Sequence, residues 1–193
     1  MFIKSWKKEI LTIPNMLSLF RLGLIPVYVQ LYRNAKEPVQ FFAAGMIMTV
    51  SCLTDLIDGK IARRFNMVST LGKILDPLAD KVTQFALTVC LSLKYPVLNP
   101  LLVLFVGKEL IQLALGAIYL YQGKMLPGAL MAGKLCTTVL FISLITLVLF
   151  PDMPDAAAGA IAAVDSIFLL VSLISYLSAY FGKGSHIEDL NAE

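Results

Sequence analysis

The stretch FFAAGMIMTVSCLTDLIDGKIARRFNMVSTLGKILDPLADKVTQFALTVCLSL, residues 41–93, decides the fold. Two long apolar runs flank a short basic segment, and four aspartates border it: Asp55 and Asp58 before, Asp76 and Asp80 after. A carboxylate at membrane depth is costly, so a cluster of them there points to function. Positions i and i+3 or i+4 share a helical face, so each pair projects both side chains the same way. A hairpin of the two helices can then bring all four carboxylates together. At close range they repel unless cations sit among them, and hard divalent ions such as Mg²⁺ or Mn²⁺ prefer oxygen ligands of this kind.

Outward from this stretch the chain keeps the same character. Its 193 residues are 58% hydrophobic, and the mean hydropathy of +0.79 lies outside the range of ordinary soluble domains. Apolar runs lie at roughly Asn15 to Tyr32, Phe41 to Ile57, Ile74 to Leu93, Leu98 to Tyr121, Ala129 to Phe150 and Ala156 to Phe181. A span needs about 20 largely apolar residues. The expected fold is therefore an all-α integral membrane protein with six transmembrane helices in one domain, residues 1–193. Residues 1–12 mix Lys4, Lys7 and Lys8 with Phe2, Ile3, Trp6, Ile10 and Leu11, which suits a short amphipathic helix lying in the headgroup region. Pro14 and Asn15 interrupt before a full-length span, unlike a cleavable signal peptide. Residues 182–193 are expected to form a flexible polar tail.

Lysine and arginine set the orientation. With the N-terminus in the cytoplasm, the inner segments hold Lys4, Lys7, Lys8, Arg63, Arg64, Lys73, Lys124 and Lys183, against Arg33, Lys36 and Lys94 outside. The positive-inside rule then places both termini and the aspartate cluster on the cytoplasmic side of the cell membrane. The net charge of +3 is small and spread along the membrane surface, which argues for anionic lipid headgroups and against nucleic acid. Cys52, Cys90 and Cys136 fall inside predicted helices without metal-like spacing and are expected to act as small packing residues.

Asp55, Asp58, Gly59, Ala62, Arg63, Gly72, Asp76 and Asp80 match, in identity and spacing, the signature of the CDP-alcohol phosphotransferase (CDP-alcohol phosphatidyltransferase) family, which the chain resembles. Elementary chemistry agrees with that signature. Four carboxylates suit two divalent ions able to clamp a diphosphate. Gly59 and Gly72 admit close approach of a backbone or a flat nucleotide, and Ala62 keeps the same face narrow. Arg63 offers a planar donor fork matched to phosphate oxygens. The resemblance implies that Asp55, Asp58 and Asp76 hold metal and that Asp80 both touches metal and acts as the catalytic base. It implies CDP binding by Asp58, Gly59, Ala62, Arg63 and Gly72, CDP-diacylglycerol as donor, CMP as leaving group, and a homodimer.

The acceptor alcohol is read from other places. Pro14, Asn15, Leu17, Ser18 and Arg21, and the run Leu75 to Lys81, resemble the phosphatidylglycerolphosphate and cardiolipin synthases of that family, and Pro77, directly after Asp76, fits a first helical turn, where it wastes no hydrogen bond. Relatives of the first kind commonly carry Arg-Glu in the fourth helix and Gly-Lys with a nearby Thr in the fifth; here stand Lys108-Glu109 and Gly133, Lys134, Thr137, with Cys136 where a further base is usual. Glycerol 3-phosphate needs several cations, and Arg21, Lys108 and Lys134 are the candidates, with Lys81 either a substrate contact or a snorkelling charge. The alternative for these bases is pairwise neutralisation, Lys108 with Glu109 or with a neighbouring helix. The expected activity is transfer of the phosphatidyl group to glycerol 3-phosphate. The alternatives are phosphatidylglycerol as acceptor (cardiolipin synthesis), inositol phosphate or serine, or a divalent-cation carrier. A carrier leaves Gly59, Ala62, Arg63 and Gly72 without a role, and no inverted repeat is visible. Tyr176 and Tyr180 are expected in the interfacial aromatic belt.

Overall fold

The computed structural model describes residues 13–64, 72–122, 124–125, 130–181 and 188–189. The expected interfacial helix at residues 1–12 lies outside them. Among the described residues there are six long helices: α1 (Ile13–Asn34), α2 (Pro38–Arg64), α3 (Gly72–Lys94), α4 (Asn99–Tyr121), α5 (Met131–Leu149) and α6 (Asp155–Phe181). A 3-10 turn, Pro96–Leu98, leads into α4. Two short strands, β1 (Lys124–Met125) and β2 (Glu188–Asp189), pair antiparallel with Lys124 opposite Asp189. Of the segment expected as a polar tail, residues 182–193, only Glu188 and Asp189 are among the described residues, and their extended backbone bonds that of β1.

Local chemistry explains the boundaries. Pro14 sits at the start of α1, where its missing N–H costs nothing. The turn from α1 to α2 is closed by Gln40, whose Oε1 accepts from the backbone N–H of Lys36 at 2.7 Å and of Glu37 at 3.3 Å. That is the reach-back half of a capping box, with Pro38 at the first helical position. Pro77 was expected in the first turn of its helix. Because α3 starts at Gly72, Pro77 lies inside it and removes a bond to the carbonyl four residues earlier.

The helices are apolar outside. Phe20, Val103, Leu113 and Ile167 are all more than half exposed, whereas Asn15, Ser18, Arg21, Thr83, Gln84, Lys108 and Asp165 are buried. This inverts the soluble pattern and is what lipid demands. Hydroxyls settle their hydrogen bonds within their own helix: Thr49 donates to the Gly45 carbonyl, Thr88 to Gln84, Thr137 to Gly133 and Ser166 to Ala162. Among the described residues, Pro96–Tyr119, Met131–Leu149 and Asp155–Phe181 are long and apolar enough to cross a membrane. α1 and α3 fall short of that measure because they carry polar groups of the site, notably Arg21 on the one and Asp76, Asp80 and Lys81 on the other, and Pro38–Leu53 of α2 is a shorter apolar helix among the described residues. The three cysteines are buried and form no disulfide among the described residues, in keeping with packing residues.

Two packing units divide the chain. One runs to Leu91 and includes Leu144–Asp152; the other holds Ser92–Ser143 and the residues from Met153 onward. In the first, α1 packs along α2, and Gly45 of α2 lets Val148 of α5 approach so closely that an added Cβ would overlap Val148 Cγ1. Val148 is β-branched and cannot swing aside cheaply. Gly45→Ala is therefore expected to destabilise the protein by about 1–3 kcal/mol, read as a lower thermal unfolding midpoint in detergent. An unchanged midpoint would show that the two helices part without cost. In the second unit α4 packs on α6, with the Tyr119 hydroxyl donating to the Tyr180 carbonyl at 2.7 Å and the two rings 4.7 Å apart.

Candidate active site

α1 supplies a polar stripe. Asn15, Ser18 and Arg21 recur every third residue, so they share one face, and that face is buried. The same stripe continues as Ile25, Tyr28 and Tyr32, which makes its second half apolar core. Ser18 and Arg21 meet the two aspartates of α3: Ser18 Oγ donates to Asp76 Oδ1 at 2.5 Å, and Arg21 Nη1 pairs with Asp80 Oδ1. One helical turn separates Ser18 from Arg21 and one separates Asp76 from Asp80, so two parallel links tie the helices in a single register.

The Arg21–Asp80 pair is asymmetric. The arginine side chain is 3% exposed and the aspartate 45% exposed. A guanidinium fixed in the interior thus holds a carboxylate whose remaining surface faces open space. Asp76 is half-buried beside it, and Lys81 is half-buried next in sequence. Asp76 and Asp80 leave carboxylate oxygens available beyond their bonds to Ser18 and Arg21, a hard-oxygen donor set that fits a divalent cation.

Asp55, Asp58, Gly59, Ala62 and Arg63 lie on the last turns of α2, and Gly72 opens α3. Their side chains lie outside the described residues, as does the connection between the two helices. By helical register Asp55, Asp58 and Ala62 belong to one face of α2. Among the described residues no group of three or more potential metal ligands occurs, and only Asp76 and Asp80 of the four aspartates fall among those with described side chains.

The remaining predicted cations belong to the second unit. Lys108 is buried, and its Nζ donates to Glu109 Oε1 at 2.9 Å. Lys134 is exposed in the first turn of α5, where its carbonyl accepts from Thr138 at 2.9 Å. Gly133 before it is needed for close packing: an added Cβ would lie 2.9 Å from both Cε2 and Oη of Tyr176. Tyr176 therefore packs against the start of α5, and Tyr180 is engaged by Tyr119.

Two contributions escaped the sequence reading. Ser18 served there only as part of a resemblance, although the i, i+3, i+6 spacing of Asn15, Ser18 and Arg21 in an apolar helix is itself the signal of a buried polar face. Asp165, in the middle of α6, is buried and accepts from Ser143 Oγ at 2.9 Å. A carboxylate inside an apolar run was visible, but which helix would face it was not.

Comparison with known proteins decides the family. The model of the CDP-alcohol phosphatidyltransferase family matches residues 11–177, nearly the whole chain. The chain belongs to the CDP-alcohol phosphatidyltransferase family. As a phosphatidyltransferase it resembles the CDP-diacylglycerol–glycerol-3-phosphate 3-phosphatidyltransferase of Aquifex aeolicus, with 34% identity over 172 residues, covering 86% of this chain and 94% of that protein. The protein of the same name from Escherichia coli K12 is 35% identical over 174 residues, covering 86% and 93%. A cardiolipin synthase (CMP-forming)/mitochondrial hydrolase fusion protein of Schizosaccharomyces pombe is 36% identical over 125 residues, covering 63% of this chain and 20% of that protein. For a phosphatidyltransferase of this family, the Ser18–Asp76 and Arg21–Asp80 links mean that α1 braces the second aspartate pair of the signature.

Proposed function

We propose that the protein transfers the phosphatidyl group of CDP-diacylglycerol to glycerol 3-phosphate and releases CMP. The observation that carries the choice of acceptor is the likeness to two glycerol-3-phosphate phosphatidyltransferases along 93–94% of their own length. The acceptor hydroxyl attacks the phosphorus that bears the diacylglycerol, the bond to the CMP oxygen breaks, and the hydroxyl proton passes to Asp80. The family is in general dependent on divalent cations. Two ions, Mg²⁺ or Mn²⁺, held by Asp55, Asp58, Asp76 and Asp80 would supply charge neutralisation at the diphosphate and at departing CMP. Arg21 keeps Asp80 oriented, Ser18 keeps Asp76, and Asp58, Gly59, Ala62, Arg63 and Gly72 are the surface for the cytidine diphosphate.

The geometry supports a site at one membrane face. Seventeen residues of helix separate Pro38 from Asp55, about 26 Å, close to the thickness of the hydrocarbon core. The six helices, each 19–27 residues long, then serve as six spans, with the aspartates and both termini at the cytoplasmic interface of the cell membrane. A groove of about 370 Å³ between α1 and α2, lined by Leu17, Phe20, Leu24, Met46, Ile47 and Val50, begins about one turn from Asp55 and suits an acyl chain of the donor. A homodimer completes the reading.

Among the acceptor cations, Arg21 is engaged by Asp80 and Lys108 by Glu109. Lys134 is the exposed ammonium of the three. Lys134→Ala is expected to raise the KM for glycerol 3-phosphate about tenfold, the worth of one hydrogen-bonded charge, with kcat within about twofold. An unchanged KM would remove Lys134 from the acceptor site.

The function is tested by CMP release from purified protein given CDP-diacylglycerol and Mg²⁺ or Mn²⁺, with glycerol 3-phosphate, phosphatidylglycerol, inositol phosphate and serine offered separately. Release with glycerol 3-phosphate is expected. Release with phosphatidylglycerol alone would make the protein a cardiolipin synthase, the reading favoured by its likeness to the fission-yeast fusion protein.

A further inference from the structure

We propose that the groove between the second half of α1 and the middle of α3 binds an anionic phospholipid from the leaflet opposite the aspartates. The groove has a volume of about 830 Å³. Its floor is apolar, formed by Ile25, Val29, Phe85 and Val89, and its polar groups gather toward the end of α1 as Gln30, Arg33 and Asn34. An apolar trough closed at one end by a guanidinium and two amides has the form of a phospholipid: tails along the floor, a phosphodiester at the rim.

The groove is separate from the reaction site. Arg33 lies twelve residues beyond Arg21 on α1, about 18 Å along the axis, and Val89 lies nine residues beyond Asp80 on α3, about 14 Å. With the aspartates at the cytoplasmic interface, Arg33 is therefore near the outer one. Pro26 lines the groove in the middle of α1. With no N–H to give, it loosens the ladder at the place where the trough begins.

Charge selects the occupant. No acidic residue lines the groove, and no carboxylate among the described residues pairs with Arg33. A base on the outer side runs against the positive-inside bias, so its position calls for a partner. A cation in the last turn of α1 gains from the helix dipole, but that gain needs no groove beside it. A second copy of the chain would have to bring an acid to Arg33, whereas an anionic lipid brings charge and apolar tail in one molecule.

The test uses the full chain in proteoliposomes with a diazirine-tailed phosphatidylglycerol and, in parallel, the same tail on phosphatidylcholine. Labelling of Val29, Phe85 or Val89 by the anionic lipid in clear excess is expected. Arg33→Gln and Gln30→Glu change exposed rim residues, so folding is preserved. Each is expected to lower the anionic labelling roughly threefold, the worth of an exposed ion pair, with the phosphatidylcholine signal and CMP release unchanged. Equal labelling by both lipids would overturn the proposal. So would labelling that neither variant changes, or a groove occupied by a second copy, seen as loss of dimer in Arg33→Gln. Because CMP release is read in the same samples, failure of the lipid site is distinguishable from failure of the transferase reading.

Discussion

Asp80→Asn is expected to lower kcat for CMP release by at least about a thousandfold, the upper part of the range for loss of a positioned general base. The substitution keeps the size of the side chain and removes its charge and its capacity to accept a proton. The loss falls on turnover, because Asp55, Asp58 and Arg63, the donor-binding residues of the proposed function, are unchanged; metal-dependent CMP binding to the solubilised protein should survive within a fewfold. Stability falls as well, since the buried Arg21 loses its ion pair with Asp80. Breaking a fully buried pair costs about 3–5 kcal/mol, and the 45% exposure of the Asp80 side chain places this change below that range. The unfolding midpoint in detergent separates the two effects: a variant that stays folded and binds CMP without turnover is the expected result. Full turnover would remove Asp80 from the chemistry.

Arg21→Lys is expected to give the second-largest effect, a fall in kcat of about a hundredfold with the KM for glycerol 3-phosphate within about threefold. Lysine preserves the charge but replaces a rigid planar fork by a point charge on a flexible stem. In the structure the guanidinium is aimed at Asp80 from a buried position, so its loss frees the carboxylate to turn away from the reacting hydroxyl. A misplacement of about 1 Å can cost two orders of magnitude in rate. The kcat and KM measured against acceptor concentration decide between two roles. A rise in KM with unchanged kcat would put Arg21 on the acceptor phosphate, as the sequence reading expected. Ser18→Ala, by contrast, removes a neutral donor from Asp76 and should act more weakly than either.

How much was legible depended on whether a residue's meaning lay in its own segment. The apolar runs announced the helices, and the proposed span limits fall within a few residues of most observed ends. The largest shift is at α2, which runs to Arg64 where the expected span stopped at Ile57, because a helix can continue past the hydrocarbon into the interface with its polar end in water. Pro77 was misplaced by a related cause: the start of α3 at Gly72 is set beyond the apolar run. Asp76 and Asp80 were legible as a pair, since their spacing by itself places them on one face.

The sequence alone determined that the chain is helical and apolar, that its four aspartates flank one basic segment, and which family it belongs to, because hydropathy, helical periodicity and motif spacing are local properties. Only the tertiary structure decided that Ser18 holds Asp76, that Arg21 serves Asp80, that Lys108 is taken by Glu109, and that Asp165 meets Ser143. Three of those four contacts join side chains from different helices, 22 to 59 residues apart. In lipid the apolar surface of a helix is indifferent to its neighbours, so it is the few polar groups, each needing a partner, that choose which helices meet and in what register.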